Sequence, residues 1–279
     1  MKLASFTIGG KSSYGAVQGD GIVDLGQTLK YPTLLAALQA GALDEVKKAA
    51  SGAAPTHKLS AVTLQTPMPD LENYICVGRN YRGHVAEGNV KLPDFPSTFL
   101  RLKRSIVAHD APLVVPKISG DFDYEGELAF VIGKGGRHIK KEAALSHIAG
   151  YSILMEGSIR DYQFKHCLIV GKNFHATGSF GPYIVTADEV GDPTKLDLRT
   201  RLNGQEVQHT MTDDLIFDIP YIIAYLSSFM PLEPGDVIST GTPEGVGFAR
   251  KPPLWMKAGD TLEVEISKIG ILRNKVIAE

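Results

Sequence analysis

Short apolar runs separated by turn residues fill the chain from residue 73 almost to its end, and this pattern constrains the fold more than any other feature. Glycine, proline, aspartate or asparagine stands between successive runs, as is typical of strands joined by tight turns. A chain with many such strands and few helices is predicted to be mainly β, with an α+β character. The predicted strands are Tyr74–Val77, Thr98–Leu100, Leu113–Val115, Tyr124–Ile132, Tyr151–Met155, Phe180–Val185, Leu196–Leu202, Val237–Thr240, Leu262–Ile266 and Ile271–Val276.

Two turns and one helix carry specific signals. Asn203-Gly204 between two runs is typical of a two-residue hairpin, and Glu233-Pro234-Gly235-Asp236 suits a type II turn. A helix is predicted to begin after Asp218, a suitable N-cap, with Pro220 in its first turn. Its apolar residues recur at helical spacing, at Ile219, Ile222, Ile223, Leu226 and Met230.

The chain is predicted to contain a small N-terminal α+β domain at residues 1–65 and a larger domain at residues 66–279, which holds all the candidate site residues described below. At roughly 150 residues per domain, 279 residues suffice for one large unit and one small one. Thr66-Pro67-Met68-Pro69 marks the boundary, because proline disfavours the continuation of any regular element.

Charge and composition exclude several classes of protein. Lysine and arginine number 29 against 31 acidic residues, which argues against binding to nucleic acid or to a membrane surface. No apolar stretch approaches the length of a membrane span, and the N-terminus lacks the apolar core of a signal peptide. Two cysteines cannot form a disulfide framework, so a reducing, cytoplasmic location is expected.

Three glutamates suggest a metal site. Glu125 and Glu127 lie on one face of a predicted strand, where two carboxylates repel unless a cation lies between them, although a solvated acidic face is the alternative. Glu156 ends the apolar run Tyr151–Met155, where an ionised carboxylate needs a partner or a metal. Three carboxylates would suit Mg²⁺ or Mn²⁺. The alternative is an ion pair between Glu156 and Arg160.

Further groups could carry acid–base chemistry. His84 and Glu87 lie three residues apart, on one face of a helical turn, so the carboxylate can orient the imidazole as a general base. A surface His–Glu pair is the plainer interpretation. Lys172 in a glycine-bracketed turn could stabilise an oxyanion or be an exposed loop residue. The sequence has no nucleophile elbow, zinc-protease motif or dinucleotide fingerprint.

Five segments in this order resemble the fumarylacetoacetate hydrolase family. They are Cys-Val-Gly-Arg-Asn-Tyr…His-x-x-Glu at 76–87, Asp-Tyr-Glu-Gly-Glu-Leu at 123–128, Ser-Ile-Arg-Asp-Tyr-Gln at 158–163, Gly-Lys-Asn-Phe at 171–174 and Thr-Gly-Thr-Pro at 240–243. The resemblance implies a mixed β-sandwich roll, a homodimer and one Mg²⁺ or Mn²⁺ ion per chain without an organic cofactor.

The resemblance also assigns roles to residues. It implies metal ligation by Glu125, Glu127 and Glu156, and catalysis by His84, Glu87 and Lys172. Substrate binding is implied for Arg79, Tyr81, Arg160, Gln163, Gly241 and Thr242. The chain departs from the family pattern at Glu156, where aspartate is common. It departs again at Leu100-Arg101-Leu102-Lys103, which leaves the substrate-side cation open among Arg101, Lys103 and Arg104.

Together with these residues, the resemblance leads us to expect a metal-dependent hydrolase that cleaves a carbon–carbon bond in an acylpyruvate or related β-diketo acid. His84 would activate water, and the metal would chelate the 2-oxo acid. The same site could instead decarboxylate a 2-oxo acid such as oxaloacetate, or isomerise or hydrate a 2-hydroxydienoate. A non-catalytic metabolite-binding protein is the alternative of another class. Phe248, Leu254 and Trp255 are candidates for an apolar acyl pocket.

Overall fold

The computed structural model describes residues 1–279, and strands dominate it. The strands are β1 (Lys2–Ile8), β2 (Lys11–Gln18), β3 (Gly21–Asp24), β4 (His57–Lys58), β5 (Thr63–Leu64), β6 (Asn73–Gly78), β7 (Ser97–Leu102), β8 (Ile106–Val107), β9 (Leu113–Val115), β10 (Phe122–Asp123), β11 (Gly126–Ile132), β12 (Ile148–Met155), β13 (Ser158–Ile159), β14 (Gly178–Thr186), β15 (Asp197–Leu202), β16 (Gln205–Met211), β17 (Val237–Ser239), β18 (Thr261–Ile266) and β19 (Gly270–Ala278). The α-helices are α1 (Leu34–Gln39), α2 (Leu43–Ser51), α3 (Arg82–Glu87), α4 (Arg160–Lys165), α5 (Leu168–Lys172), α6 (Ala187–Val190) and α7 (Ile219–Phe229).

Most strands join one large mixed sheet with the order β4-β3-β2-β1-β14-β12-β11-β17-β6-β7. Its central strands, β11 and β12, are buried along their whole length, because both faces of the sheet are covered. A second sheet, with the order β16-β15-β18-β19-β9, packs against this one. Leu128 and Ile153 of the large sheet share an apolar core with Leu198 and Val264 of the second. The predicted mainly β fold is confirmed.

The local signals produce the structures predicted from them. Asn203 and Gly204 both have positive φ and connect the paired strands β15 and β16. Gly235 has φ +99° at the third position of its turn, and the Asp236 N–H donates to the Glu233 carbonyl. Helix α7 begins after Asp218, whose carboxylate accepts from the Tyr221 N–H at 2.7 Å. No helix is both long enough and apolar enough to cross a membrane.

The N-terminal residues extend the large sheet. Strand β1 pairs with β14 as well as with β2, so the hydrogen-bonded ladder passes from residues 1–65 into the rest of the chain. Leu3 and Leu34 share a core with Phe180 and Leu154 of the larger part. The division into domains at residue 65 stays a prediction.

Candidate active site

The acidic segment leaves strand geometry just before β11. The continuous strand predicted over Tyr124–Ile132 is interrupted at residues 124 and 125. At the first residue of β11, the Gly126 N–H donates to the side chain of Gln208 at 2.9 Å. The Glu125 carbonyl accepts from the Glu156 N–H at 2.8 Å. This contact ties the end of β12 to the start of β11 and brings Glu156 beside the other two glutamates.

Glu125, Glu127 and Glu156 form a compact triad. One carboxylate oxygen from each lies within 4.8 Å of the others, and all three side chains are buried. Oε1 of Glu156 is buried without a hydrogen-bond partner, and such an atom is costly unless a cation or donor binds it. The alternative ion pair between Glu156 and Arg160 is not formed. A set of converging hard oxygen donors therefore fits a divalent cation of the Mg²⁺ class.

Two buried cations compensate part of the acidic charge. Lys172 Nζ lies 2.6 Å from Glu125 and 2.9 Å from Glu156. Arg160 contacts Glu125 at 2.5 Å and Asp123 at 2.8 Å. Neither cation contacts Glu127, whose carboxylate forms no ion pair.

The triad members differ in proton affinity. Burial alone would raise the pKa of Glu125, but Lys172 and Arg160 outweigh it and hold that pKa below its usual range. Burial, reinforced by the charges of Glu156 and Glu125, raises the pKa of Glu127 well above the ordinary value. Burial opposes the charge of Lys172, yet the two adjacent glutamates prevail and raise its pKa. Lys172 is therefore an ammonium donor at neutral pH and not a base.

The predicted His84–Glu87 pair forms on α3. His84 Nδ1 lies 2.7 Å from Glu87 Oε1, and Glu87 Oε2 accepts from the Gly245 N–H at 2.8 Å. A carboxylate on Nδ1 favours the tautomer with its proton there, which leaves the Nε2 lone pair free to accept a proton. The two side chains are largely shielded from solvent.

The triad and His84 line one cleft of about 390 Å³. Its polar wall comprises Arg79, His84, Ser97, Glu125, Glu127, Glu156, Arg160, Gln163, Lys172 and Thr242, and its apolar wall comprises Val90, Phe99, Phe164, Leu168 and Phe248. Among the predicted acyl-pocket residues, Phe248 alone lines the cleft. The structure thus brings the predicted acidic triad and the predicted base His84 into one small cavity.

Two predicted substrate-binding residues do not line the cleft. Tyr81 is buried in the apolar core, because its side chain packs inward at the start of α3. Gly241 has φ +97°, and a Cβ there would lie 2.9 Å from the Val77 carbonyl, so it packs against β6. Its N–H approaches Glu127 Oε2 at 3.3 Å, which places Gly241 behind the triad.

The three basic residues left open by the sequence also lie outside the cleft. Arg101 is fully buried and donates to the Gly157 carbonyl at 2.7 Å and to Thr177 at 3.0 Å, so it connects parts of the fold. Lys103 pairs with Glu72 at the surface, and Arg104 is exposed. The uncommitted cation on the cleft wall is Arg79, which makes no ion pair.

Sequence reasoning missed the part of the apolar wall that the short helices α4 and α5 form. Phe164 follows Arg160 at helical spacing, and this i, i+4 relation was the available signal. Leu168 lies at the start of α5, directly after the exposed Cys167. Cys76, in contrast, is fully buried in β6.

Comparisons with known proteins agree with this geometry. The chain is 42% identical over 221 residues to the mitochondrial oxaloacetate tautomerase of Xenopus laevis. This alignment covers 78% of this chain and 69% of that protein. The structure superposes on a fumarylacetoacetate hydrolase from Exiguobacterium antarcticum with a TM-score of 0.85 and 34% identity, covering 100% of both chains.

A third relative is the maleylpyruvate hydrolase of Sphingobium sp. SYK-6 in complex with manganese(II) and pyruvate. It has a TM-score of 0.82 and 30% identity, and the match covers 100% of this chain and 99% of that one. Residues 73–277 match the family model described as fumarylacetoacetate (FAA) hydrolase C-terminal. The chain therefore belongs to the fumarylacetoacetate hydrolase family.

Proposed function

We propose that the protein is a divalent-metal-dependent enzyme that interconverts the keto and enol forms of oxaloacetate. The observation that carries this proposal is that the acidic triad and His84, whose Nδ1 bonds to Glu87, line one small cleft. The similarity to the oxaloacetate tautomerase of Xenopus laevis supports the choice of reaction. We therefore take tautomerisation as the first candidate reaction, and the hydrolysis expected from the sequence as the second.

Glu125, Glu127 and Glu156 would hold Mg²⁺ or Mn²⁺. When bound, the ion supplies Lewis-acid polarisation of the 2-oxo group, which acidifies the neighbouring C3–H bond. The manganese and pyruvate in the maleylpyruvate hydrolase structure support this type of metal and ligand.

The chain's own groups would move the proton. Nε2 of His84 takes a proton from C3, the C2–C3 double bond forms, and negative charge develops on the C2 oxygen. Lys172 uses two of its three N–H donors on Glu125 and Glu156, and its third can donate to that oxygen. The C2 oxygen takes a proton from water to give the enol, and protonated His84 gives up its proton to water. The reverse reaction releases the enol proton to water and returns a proton from His84 to C3. Arg79 is the cation available for the distal carboxylate.

Hydrolysis of an acylpyruvate is the second candidate, and it would use the same His84–Glu87 pair. The same Nε2 lone pair could take a proton from water, whose oxygen would then attack the carbonyl of the acyl group. The bond from that carbonyl carbon to C3 would break, and the pyruvate fragment would leave as an enolate that is then protonated at C3. The resemblance to maleylpyruvate hydrolase supports this alternative.

A substrate assay separates these reactions. Purified protein would be mixed with the enol form of oxaloacetate or with an acylpyruvate, in the presence of Mg²⁺, Mn²⁺ or a chelator. We expect faster decay of the enol's ultraviolet absorbance with either metal, no acceleration after chelation, and no release of carbon dioxide.

Other outcomes would overturn the proposal in identifiable ways. Pyruvate plus a carboxylic acid from the acylpyruvate, without action on oxaloacetate, would establish the hydrolase. Carbon dioxide plus pyruvate from oxaloacetate would indicate a decarboxylase. Binding of 2-oxo acids without any turnover would indicate a non-catalytic metabolite-binding protein.

A further inference from the structure

Asp123 is a fully buried carboxylate that the proposed reaction does not use. Both of its oxygens are saturated. Oδ1 accepts from the N–H groups of Tyr124 (2.8 Å) and Gly247 (2.6 Å). Oδ2 accepts from Arg160 Nε (2.8 Å) and from the Phe248 N–H (3.1 Å). A carboxylate with four donors holds each of those donors in a fixed position.

Arg160 connects Asp123 to the acidic triad. Its Nε contacts Asp123, one terminal nitrogen contacts Glu125, and the other donates to Gln163 at 2.9 Å. Because the guanidinium is planar and rigid, the acceptor at Nε sets the direction of the nitrogen that binds Glu125. The ring of Phe248 lies 4.6 Å from the guanidinium carbon and limits its movement further.

The segment Gly245–Phe248 connects Asp123 to the other half of the site. Gly247 and Phe248 donate their N–H groups to Asp123, and Gly245 donates to Glu87, the partner of His84. A Cβ at Gly247 would lie 2.5 Å from Asp123 Oδ1 and 2.0 Å from the Leu254 carbonyl. The segment therefore approaches Asp123 as closely as only a glycine allows.

We propose that Asp123 is a positioning residue for both halves of the site. It orients Arg160, and through Arg160 it orients the metal-binding carboxylate of Glu125. It also anchors the Gly245–Phe248 segment, against which Glu87 is held. This role rests on the proposed metal site, since its principal effect is on the geometry of a metal ligand. Partners that orient metal ligands in this way typically change metal affinity or activity by 10–100-fold when they are removed.

The test is Asp123→Asn, with Asp161→Asn as the matched control. Asp161 is the next residue after Arg160, and its side chain bonds to Ser119 outside the cleft. Binding of Mn²⁺ would be measured by titration calorimetry, and the bound ion by electron paramagnetic resonance. We expect 10–100-fold weaker binding and an altered spectrum for Asp123→Asn, and wild-type values for the control.

A purely structural role would lower the melting temperature but leave the Mn²⁺ affinity of the folded protein unchanged, and that result would overturn the inference. Asp123→Glu, which keeps the charge but displaces its oxygens, serves if the first variant does not fold, with the same loss of affinity expected. Failure of both variants to fold would make Asp123 a determinant of the fold and would also overturn the inference. Absence of Mn²⁺ binding by the wild type would instead refute the proposed metal site.

Discussion

At the scale of single residues, the cleft combines an imidazole that can accept a proton, His84, with an ammonium group that stays protonated, Lys172. Glu87 occupies one nitrogen of His84, and two glutamates stabilise the ammonium form of Lys172. Enolate chemistry needs both functions within reach of one substrate. The consequences can be tested one side chain at a time.

Replacing His84 with alanine should lower kcat by roughly 10²–10⁴-fold, the usual contribution of a general base. The affinity for Mg²⁺ should stay near that of the wild type, because His84 bonds to Glu87 and not to the triad. Steady-state kinetics and titration calorimetry check both expectations. His209→Ala is the control, since His209 bonds to Asp197 on the second sheet. Full turnover by the His84 variant would remove it from the mechanism.

Arg79→Gln should lower kcat/KM for a 2-oxo dicarboxylate by about 10–100-fold, the effect of losing a charge-assisted hydrogen bond. A 2-oxo monocarboxylate should be turned over as before, because it has no distal carboxylate to lose. The control is Arg82→Gln, since Arg82 lies three residues away and binds backbone carbonyls outside the cleft. Equal losses on both substrates would contradict a role of Arg79 in selectivity.

The raised pKa of Glu127 predicts a pH-dependent stability. Folding raises this pKa above its ordinary value of 4.5, so the folded protein binds the proton more tightly than the unfolded chain does. In the metal-free protein, the free energy of unfolding should therefore fall as the pH rises above 4.5. Glu127→Gln should remove this part of the slope, as measured by urea denaturation after chelation. If the free energies of unfolding of the variant and the wild type differ by the same amount at every pH, Glu127 does not contribute to the pH dependence and the prediction is wrong.

At the scale of elements, short helices and loops place the reactive groups at the ends of long buried strands. Helix α3 carries His84 and Glu87, and β11 and β12 carry the triad at their ends. Buried strands hold the carboxylates of the triad in fixed positions, while helix α3 supplies His84 at the wall of the cleft.

The N-cap of α7 should contribute to stability. Asp218→Ala removes the acceptor of the Tyr221 N–H, and the free energy of unfolding should fall by about 1 kcal/mol. The exposed Asp213, which caps no helix, provides the control Asp213→Ala, with an expected change below about 0.5 kcal/mol. Chemical denaturation measures both. Equal effects of the two changes would show that capping is not the cause.

Elements with local signals could be predicted from the sequence, and those fixed by distant partners could not. The hairpin at Asn203-Gly204 and helix α7 follow from neighbouring residues alone. At the start of β11, in contrast, the Gly126 N–H bonds to the side chain of Gln208, 82 residues away. Arg101 alternates with Phe99 toward the interior of β7, yet its acceptors Gly157 and Thr177 lie 56 and 76 residues further along the chain. The family pattern and the charge of Arg101 therefore left it among the candidates for a substrate contact, whereas in the structure it is buried and bonds to other parts of the fold.

At the scale of the whole molecule, the site depends on a sheet that continues into the N-terminal residues. Strand β14 separates β1 from β12, and Glu156 directly follows β12. Two strand pairings, β1 with β14 and β14 with β12, therefore connect the N-terminal residues to the strand that ends at Glu156. The homodimer implied by the family resemblance stays a prediction.

A chain of residues 66–279 should fail to fold to the native state. Removal of β1 would expose the edge of β14 and an apolar core that both parts share. We expect aggregation or loss of the cooperative melting transition, measured by circular dichroism and light scattering, with the full chain as reference. A soluble fragment with native Mn²⁺ affinity would instead establish residues 66–279 as an independent domain.

The unequal accessibility of the two cysteines makes this protein convenient for fluorescence work. A maleimide dye should couple to Cys167 and spare Cys76, which has no exposed surface. The attached fluorophore would be one residue from Leu168 on the apolar wall of the cleft. Its emission should therefore respond when a small acid enters, and the native chain already carries this labelling position without any engineering.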